Sequence, residues 1–145
     1  MIEHIWSVVC ERTILDRDSN LISIINSLEE LGIEGPLEKK RILRVPIEIV
    51  SFWVRSDIAV PVKGLARYRF VSPSGDNVKD QNIDLDLSDF ERLRTRVQFL
   101  NLNFPEPGIY HFQVAYRKNK KSSWKTVASI PLKINVIEKT EEPKK

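Results

Sequence analysis

Apolar and polar side chains alternate strictly over residues 110–116. Tyr110, Phe112, Val114 and Tyr116 share one face, and His111, Gln113 and Ala115 the other. A period of two is that of a half-buried β-strand. The stretch before it, Phe104-Pro105-Glu106-Pro107-Gly108-Ile109, reads as a sharp turn. Proline fixes φ twice there and glycine admits positive φ, so Tyr110 is delivered to the sheet in a fixed register. The alternation recurs along the chain. Trp6, Val8 and Cys10 alternate with Ser7 and Glu11, and Ala66, Tyr68 and Phe70 with Arg67 and Arg69. Ile83, Leu85 and Leu87 alternate with Asp84 and Asp86, and Ala128, Ile130, Leu132, Ile134 and Val136 form one face of the last run. Pro131 has the opposite parity, which suits an edge position or a bulge.

Turn signals separate these runs. Asp16–Asn20 is a polar turn between the first strand and the β-branched run Leu21–Asn26, so the two are read as a hairpin. Ser72–Asn77 and the basic loop Lys118–Ser123 are further hairpin turns. Asn26–Gly32 reads either as one helical turn ending at glycine or as an extension of the strand. Ser88-Asp89-Phe90-Glu91 fits a capping box, which predicts a short turn of helix. Ile33–Lys40 carries Gly35, Pro36 and charges, and reads as a loop. Val97 and Phe99 have odd parity whereas Leu100, Leu102 and Phe104 have even parity, which predicts a β-bulge near Phe99–Leu100. The expected fold is all-β: one antiparallel β-sandwich, immunoglobulin-like, of about eight strands with one or two short helical turns. It spans residues 1–137, and the charged stretch 138–145 reads as a disordered tail.

One strand breaks the half-solvated pattern. In residues 47–55 Val50, Phe52 and Val54 lie on one face and Ile47, Ile49 and Trp53 on the other. A sandwich strand normally keeps one face for water. Ile49 and Trp53, with Leu65, are therefore expected to form an outward protein-contact face, since an open patch around a tryptophan marks such contacts. The alternative is that residues 28–42, with Leu28, Leu31, Ile33 and Leu37, fold over that face. Both remain open at the level of sequence.

Composition narrows the classes. A chain of 145 residues, 30% charged and 41% hydrophobic, is ordinary for a soluble domain with a substantial core. No apolar run approaches a membrane span, and Met-Ile-Glu-His-Ile-Trp has neither the basic start nor the apolar stretch of a signal peptide. The single cysteine, Cys10, cannot form an internal disulfide, in keeping with a reducing, cytoplasmic setting. A formal charge of +3 does not by itself call for nucleic acid. Arg67, Arg69, Arg94, Arg96 and the 117–121 loop could contact phosphates, but Asp84 and Asp86 on the expected neighbouring strand explain Arg67 and Arg69 as cross-strand ion pairs. Nucleic acid is thus not an expected partner.

Candidate chemistry is sparse. Asp16-x-Asp18-x-Asn20 opens like an EF-hand loop, but Leu21 stands at the glycine position and Ser27 at the bidentate glutamate. It reads as a polar hairpin tip. Cys10 alternates with Trp6 and Val8 as a small apolar group, and His4 and His111 lie beside strand residues without a nucleophile. No catalytic residue, metal ligand or cofactor is assigned.

The order of parts resembles a family. Cys10-Glu11, the Asp16–Asn20 turn, Leu21-Ile22-Ser23-Ile24-Ile25, Val71-Ser72-Pro73-Ser74-Gly75, Glu106–Phe112 and Ile130-Pro131-Leu132-Lys133-Ile134 follow one another. Across residues 3–137 the chain resembles an uncharacterised bacterial family of small cytoplasmic immunoglobulin-like β-sandwich domains of unknown function. The resemblance implies a fold and no catalytic residues. The expected function is a non-enzymatic binding or assembly module whose partner is a protein or a second copy of the chain. A calcium- or carbohydrate-binding module and an enzyme with an unrecognised site are the alternatives.

Overall fold

Alternation becomes strand throughout the computed structural model, which describes residues 1–35, 42–43 and 46–137. In chain order the strands are β1 (Ile2–Leu15), β2 (Ile22–Ser27), β3 (Glu30–Glu34), β4 (Ile42–Leu43), β5 (Ile47–Arg55) and β6 (Val62–Val71). β7 (Asn77–Leu87), β8 (Arg92–Phe99), β9 (Leu102–Asn103), β10 (Gly108–Arg117) and β11 (Lys125–Ile137) complete the chain. There is no helix among the described residues, hence none long and apolar enough to cross a membrane.

The first sheet has the order β2-β1-β5-β8 and the second β3-β11-β10-β6-β7, while β4 and β9 pair in a small ribbon. Pairing is antiparallel except between β3 and β11, which run parallel. Ile47, Ile49 and Trp53 of β5 and Val97 and Phe99 of β8 meet Tyr68, Phe70, Tyr110, Phe112, Val114 and Leu132 of the second sheet in one core. Phe70 stacks on Tyr110 at 4.9 Å and on Phe112 at 4.6 Å, with Phe104 edge-on at 5.5 Å. Burying each such side chain contributes about 1.5–3 kcal/mol. The turn before β10 is locked by its own tyrosine. Tyr110 Oη donates to the Glu106 carbonyl at 2.6 Å and accepts the Glu106 N–H at 3.1 Å. Gly108 has φ 130°, and a Cβ there would stand 2.9 Å from Pro73 Cγ, so both conformation and space require glycine.

Several local expectations are corrected. Neither short helical turn forms. In Asn26–Gly32 the Leu28 N–H donates to the Val9 carbonyl, and the Glu29 carbonyl accepts from Lys133 N. Those backbone groups are committed to opposite sheets, so the chain crosses between them extended. At Ser88–Glu91 the Ser88 N–H goes to Asp86 Oδ1 at 3.0 Å and the Glu91 carbonyl accepts from Arg55 N, so the segment returns straight into β8. The parity change at Phe99–Leu100 is a strand break rather than a bulge: β8 ends at Phe99, Asn101 takes φ 58°, and β9 begins at Leu102. The first two residues of the expected loop Ile33–Lys40 are strand instead: Ile33 and Glu34 close β3, which lays Leu31 and the buried Ile33 against the core. Residues 36–40, Leu37 among them, and the tail 138–145 lie outside the described residues. Pro131 sits where β11 has β10 on one side only, β3 joining it from Lys133 onward.

Candidate functional site

The expected contact face of Ile49, Trp53 and Leu65 does not form. Ile49 and Trp53 are 0% exposed, facing the second sheet, and Trp53 Nε1 donates to Thr95 Oγ1 at 3.0 Å. Leu65 is half-buried on the second sheet, opposite Asp84 and Arg117. Parity was right but its direction was inverted: the odd-numbered face of β5 is the core, and Val50, Phe52 and Val54 look outward.

That outer face is apolar because something covers part of it. β1 and β2 form a long hairpin whose tip reaches β8. An Arg94 guanidinium nitrogen donates to the Asn20 carbonyl, and Arg96 Nη1 donates to Thr13 Oγ1 at 3.4 Å. Trp6 stacks on Phe52, rings 5.8 Å apart and 27° from parallel. Between the hairpin tip and β8 lies a groove of about 570 Å³. Trp6, Phe52 and Leu93 line it, Leu21 and Phe90 flank it, and Arg92, Arg94 and Arg96 run along its β8 side. Leu21 and Phe90 are 69% and 65% exposed. Among the described residues no carboxylate forms an ion pair with these three arginines. Arg96 also lines a second depression, of about 540 Å³, with Arg12, Gln81, Gln98 and Glu48. Glu48 is buried, and its Oε2 has no hydrogen-bond partner among the described residues.

The groups that could do catalysis are dispersed. His4 Nε2 lies 2.6 Å from Ser7 Oγ, which lies 2.6 Å from Ser51 Oγ. Tyr68 Oη donates to Ser51 Oγ at 2.8 Å and shares a hydrogen bond with Thr95 Oγ1 at 3.0 Å. This chain of hydroxyls runs into the core, where Ser51 is fully buried. No carboxylate of the described residues hydrogen-bonds His4; its ring instead packs edge-on against Trp53 at 5.0 Å, and burial lowers its pKa. Such a network satisfies buried polar atoms and ties the two sheets together. His111 lies half-buried on β10, opposite Pro131 and Val71. Cys10 is buried, its Sγ–H directed at the Glu48 carbonyl at 3.6 Å, and desolvation followed by the Glu48 charge pushes its pKa up to about 11.

The Asp16–Asn20 turn uses its first carboxylate internally. Asp16 Oδ1 accepts the N–H groups of Asp18 at 2.9 Å and Ser19 at 3.3 Å, which lower the Asp16 pKa. Among the described residues no three His, Cys, Asp or Glu side chains group as metal ligands. On the second sheet the register sets Lys63 opposite Asp86, at 4.0 Å, and Arg69 opposite Asp80. Arg67 and Arg117 lie over the ring of Trp124 at 4.7 and 4.2 Å, a cation–π contact that the sequence reading missed. It missed the groove too. Its one local signal was apolar residues where turns are usually polar, Leu21 beside a hairpin tip and Phe90 between Asp89 and Glu91.

No protein-family model matches the chain, and no curated protein does. Among solved structures, a β-glucosidase from Listeria innocua in complex with gluconolactone is similar over 91% of this chain and 17% of that one, at 9% identity and a TM-score of 0.44. At that level neither its architecture nor its activity transfers.

Proposed function

We propose that the chain is a non-enzymatic protein-binding module of immunoglobulin-like build that holds an acidic, apolar-anchored segment of a partner protein in the groove beside β8. The observation that carries this reading is the stacked Trp6–Phe52 floor next to three arginines that have no carboxylate partner among the described residues. Aromatic and arginine side chains dominate binding energy at protein contacts, and guanidinium forks match carboxylates bidentately. A hydrogen-bond donor on the same partner would satisfy Glu48 Oε2. The immunoglobulin-like assignment is supported by the parallel β3–β11 pairing and by the tyrosine at the start of β10 that bonds back to Glu106. The placement of His4, His111 and Cys10 in separate surroundings supports a binding role over catalysis.

The test is fluorescence anisotropy with labelled peptides that carry one Phe or Leu among aspartates, against the same peptides with lysine for aspartate. The acidic peptides bind, binding weakens with added salt, and Phe52→Ser or Arg92→Glu weakens it at least tenfold. Equal binding of the lysine peptides, or indifference to both substitutions, sinks the proposal.

A further inference from the structure

We infer that the free edge of β2 pairs with β2 of a second copy of this chain, joining two first sheets into one continuous sheet. Among the described residues the two large sheets end on four edge strands, β2, β8, β3 and β7. Unpaired strand edges template association unless charge, proline or irregularity blunts them. β3 carries Glu30 and Glu34. β7 carries Lys79, Asp80, Asp84 and Asp86. β8 carries Arg92, Arg94 and Arg96. β2, Ile-Ile-rich and pairing with β1 alone among the described residues, carries no charge at all. The whole stretch from Leu21 to Leu28 contains no charge, no proline and no glycine.

The occupant follows from the same residues. Ile24 is 37% exposed and Leu21 69%, with Ile14 and Leu15 exposed on the adjoining end of β1. An uncharged edge offers nothing to select a charged foreign strand, whereas it is complementary to itself. A two-fold antiparallel pair centred on Ser23 would set Ile22 opposite Ile24 and Leu21 opposite Ile25 of the second copy. Every apolar residue then meets an apolar one, and serine meets serine. Asn26, at φ 52°, ends the straight part of the edge, so the pairing extends toward the hairpin tip rather than toward Leu28. The axis stands perpendicular to the sheet, and two four-stranded sheets become one of eight strands. Main-chain bonds supply the attraction in such strand addition, and side chains set the register. The pairing shares Leu21 and Ile22 with the rim of the groove, but it rests on the uncharged edge and not on the groove's arginines or its partner.

Sedimentation velocity on the intact chain across the micromolar range tests it. Wild type is expected to sediment as a dimer. Ile24→Lys is expected to run as a monomer with an unchanged far-ultraviolet spectrum. Ser23→Lys, at an exposed position where no packing is lost, gives the same reading should Ile24→Lys fail to fold. Asn77→Lys, at an exposed position of the β7 edge, remains dimeric. A monomeric wild type overturns the proposal and leaves the edge to a foreign strand. A dimer that survives both lysines in β2 overturns it as well, since its interface then lies elsewhere.

Discussion

Thr95→Val should destabilise the fold by about 1–3 kcal/mol, although valine nearly matches threonine in shape. Thr95 lies on β8 directly opposite Ser51 and is buried between the sheets. Its Oγ1 accepts the Trp53 indole N–H at 3.0 Å and meets Tyr68 Oη at the same distance. Valine removes both contacts. Tyr68 retains Ser51 Oγ at 2.8 Å, so the tyrosine hydroxyl stays satisfied. The indole N–H does not: Trp53 is fully buried and loses the hydroxyl it donates to, with only Tyr68 Oη, already bonded to Ser51, beside it. The cost is therefore that of one orphaned buried donor, which exceeds the net worth of an ordinary hydrogen bond. Urea titration measures it as a lower midpoint at unchanged slope. Repeating the substitution in a Trp53→Phe background separates the hydrogen bond from packing, because no donor then remains to be orphaned. The cost of Thr95→Val should shrink there by most of its value. A loss below about 0.5 kcal/mol in wild type, or an equal loss in both backgrounds, would refute the reasoning.

Other outcomes follow from the same core. Phe112→Ala, which removes the ring packed on Phe70 and Phe99, should cost about 3–5 kcal/mol by denaturant titration; a loss under about 1 kcal/mol would mean that β10 is not central. Burial holds His4 below its ordinary pKa of 6.5, so as pH falls the unfolded chain takes up that proton before the native one does. The contribution of His4 is complete above its ordinary value and is lost as pH falls through the lowered one. His4→Gln should flatten the melting temperature over that mildly acidic window, and an identical pH profile in the variant would disprove the assignment. Cys10 should resist a thiol reagent at mildly alkaline pH, since burial keeps it protonated up to about 11, and should react once urea unfolds the chain; full labelling of the native protein would show the site to be open.

The strands were legible because burial on one face only writes a period of two into the chain, as in β6, where buried residues from Gly64 to Phe70 alternate with half-buried ones. β5 shows where that signal stops. Both its faces are apolar, so periodicity locates two stripes and cannot rank them. What decides is non-local. Trp53 turns inward because Thr95, on another strand, offers an acceptor, and Phe52 turns outward because Trp6 stacks on it. The helical turns failed for a related reason. Capping and glycine rules describe backbone groups that must find partners nearby, but Leu28 and Glu29 find theirs in Val9 and Lys133. The groove lies furthest from sequence reasoning. Trp6, Leu21, Phe52, Phe90 and Arg94 become neighbours only when the β1–β2 hairpin reaches across to β8. Its trace in the sequence is an apolar residue placed where the local rule asks for a polar one. Leu21 and Phe90 both leave water-exposed area that turn chemistry does not need, and it is this area that the proposed partner segment would cover.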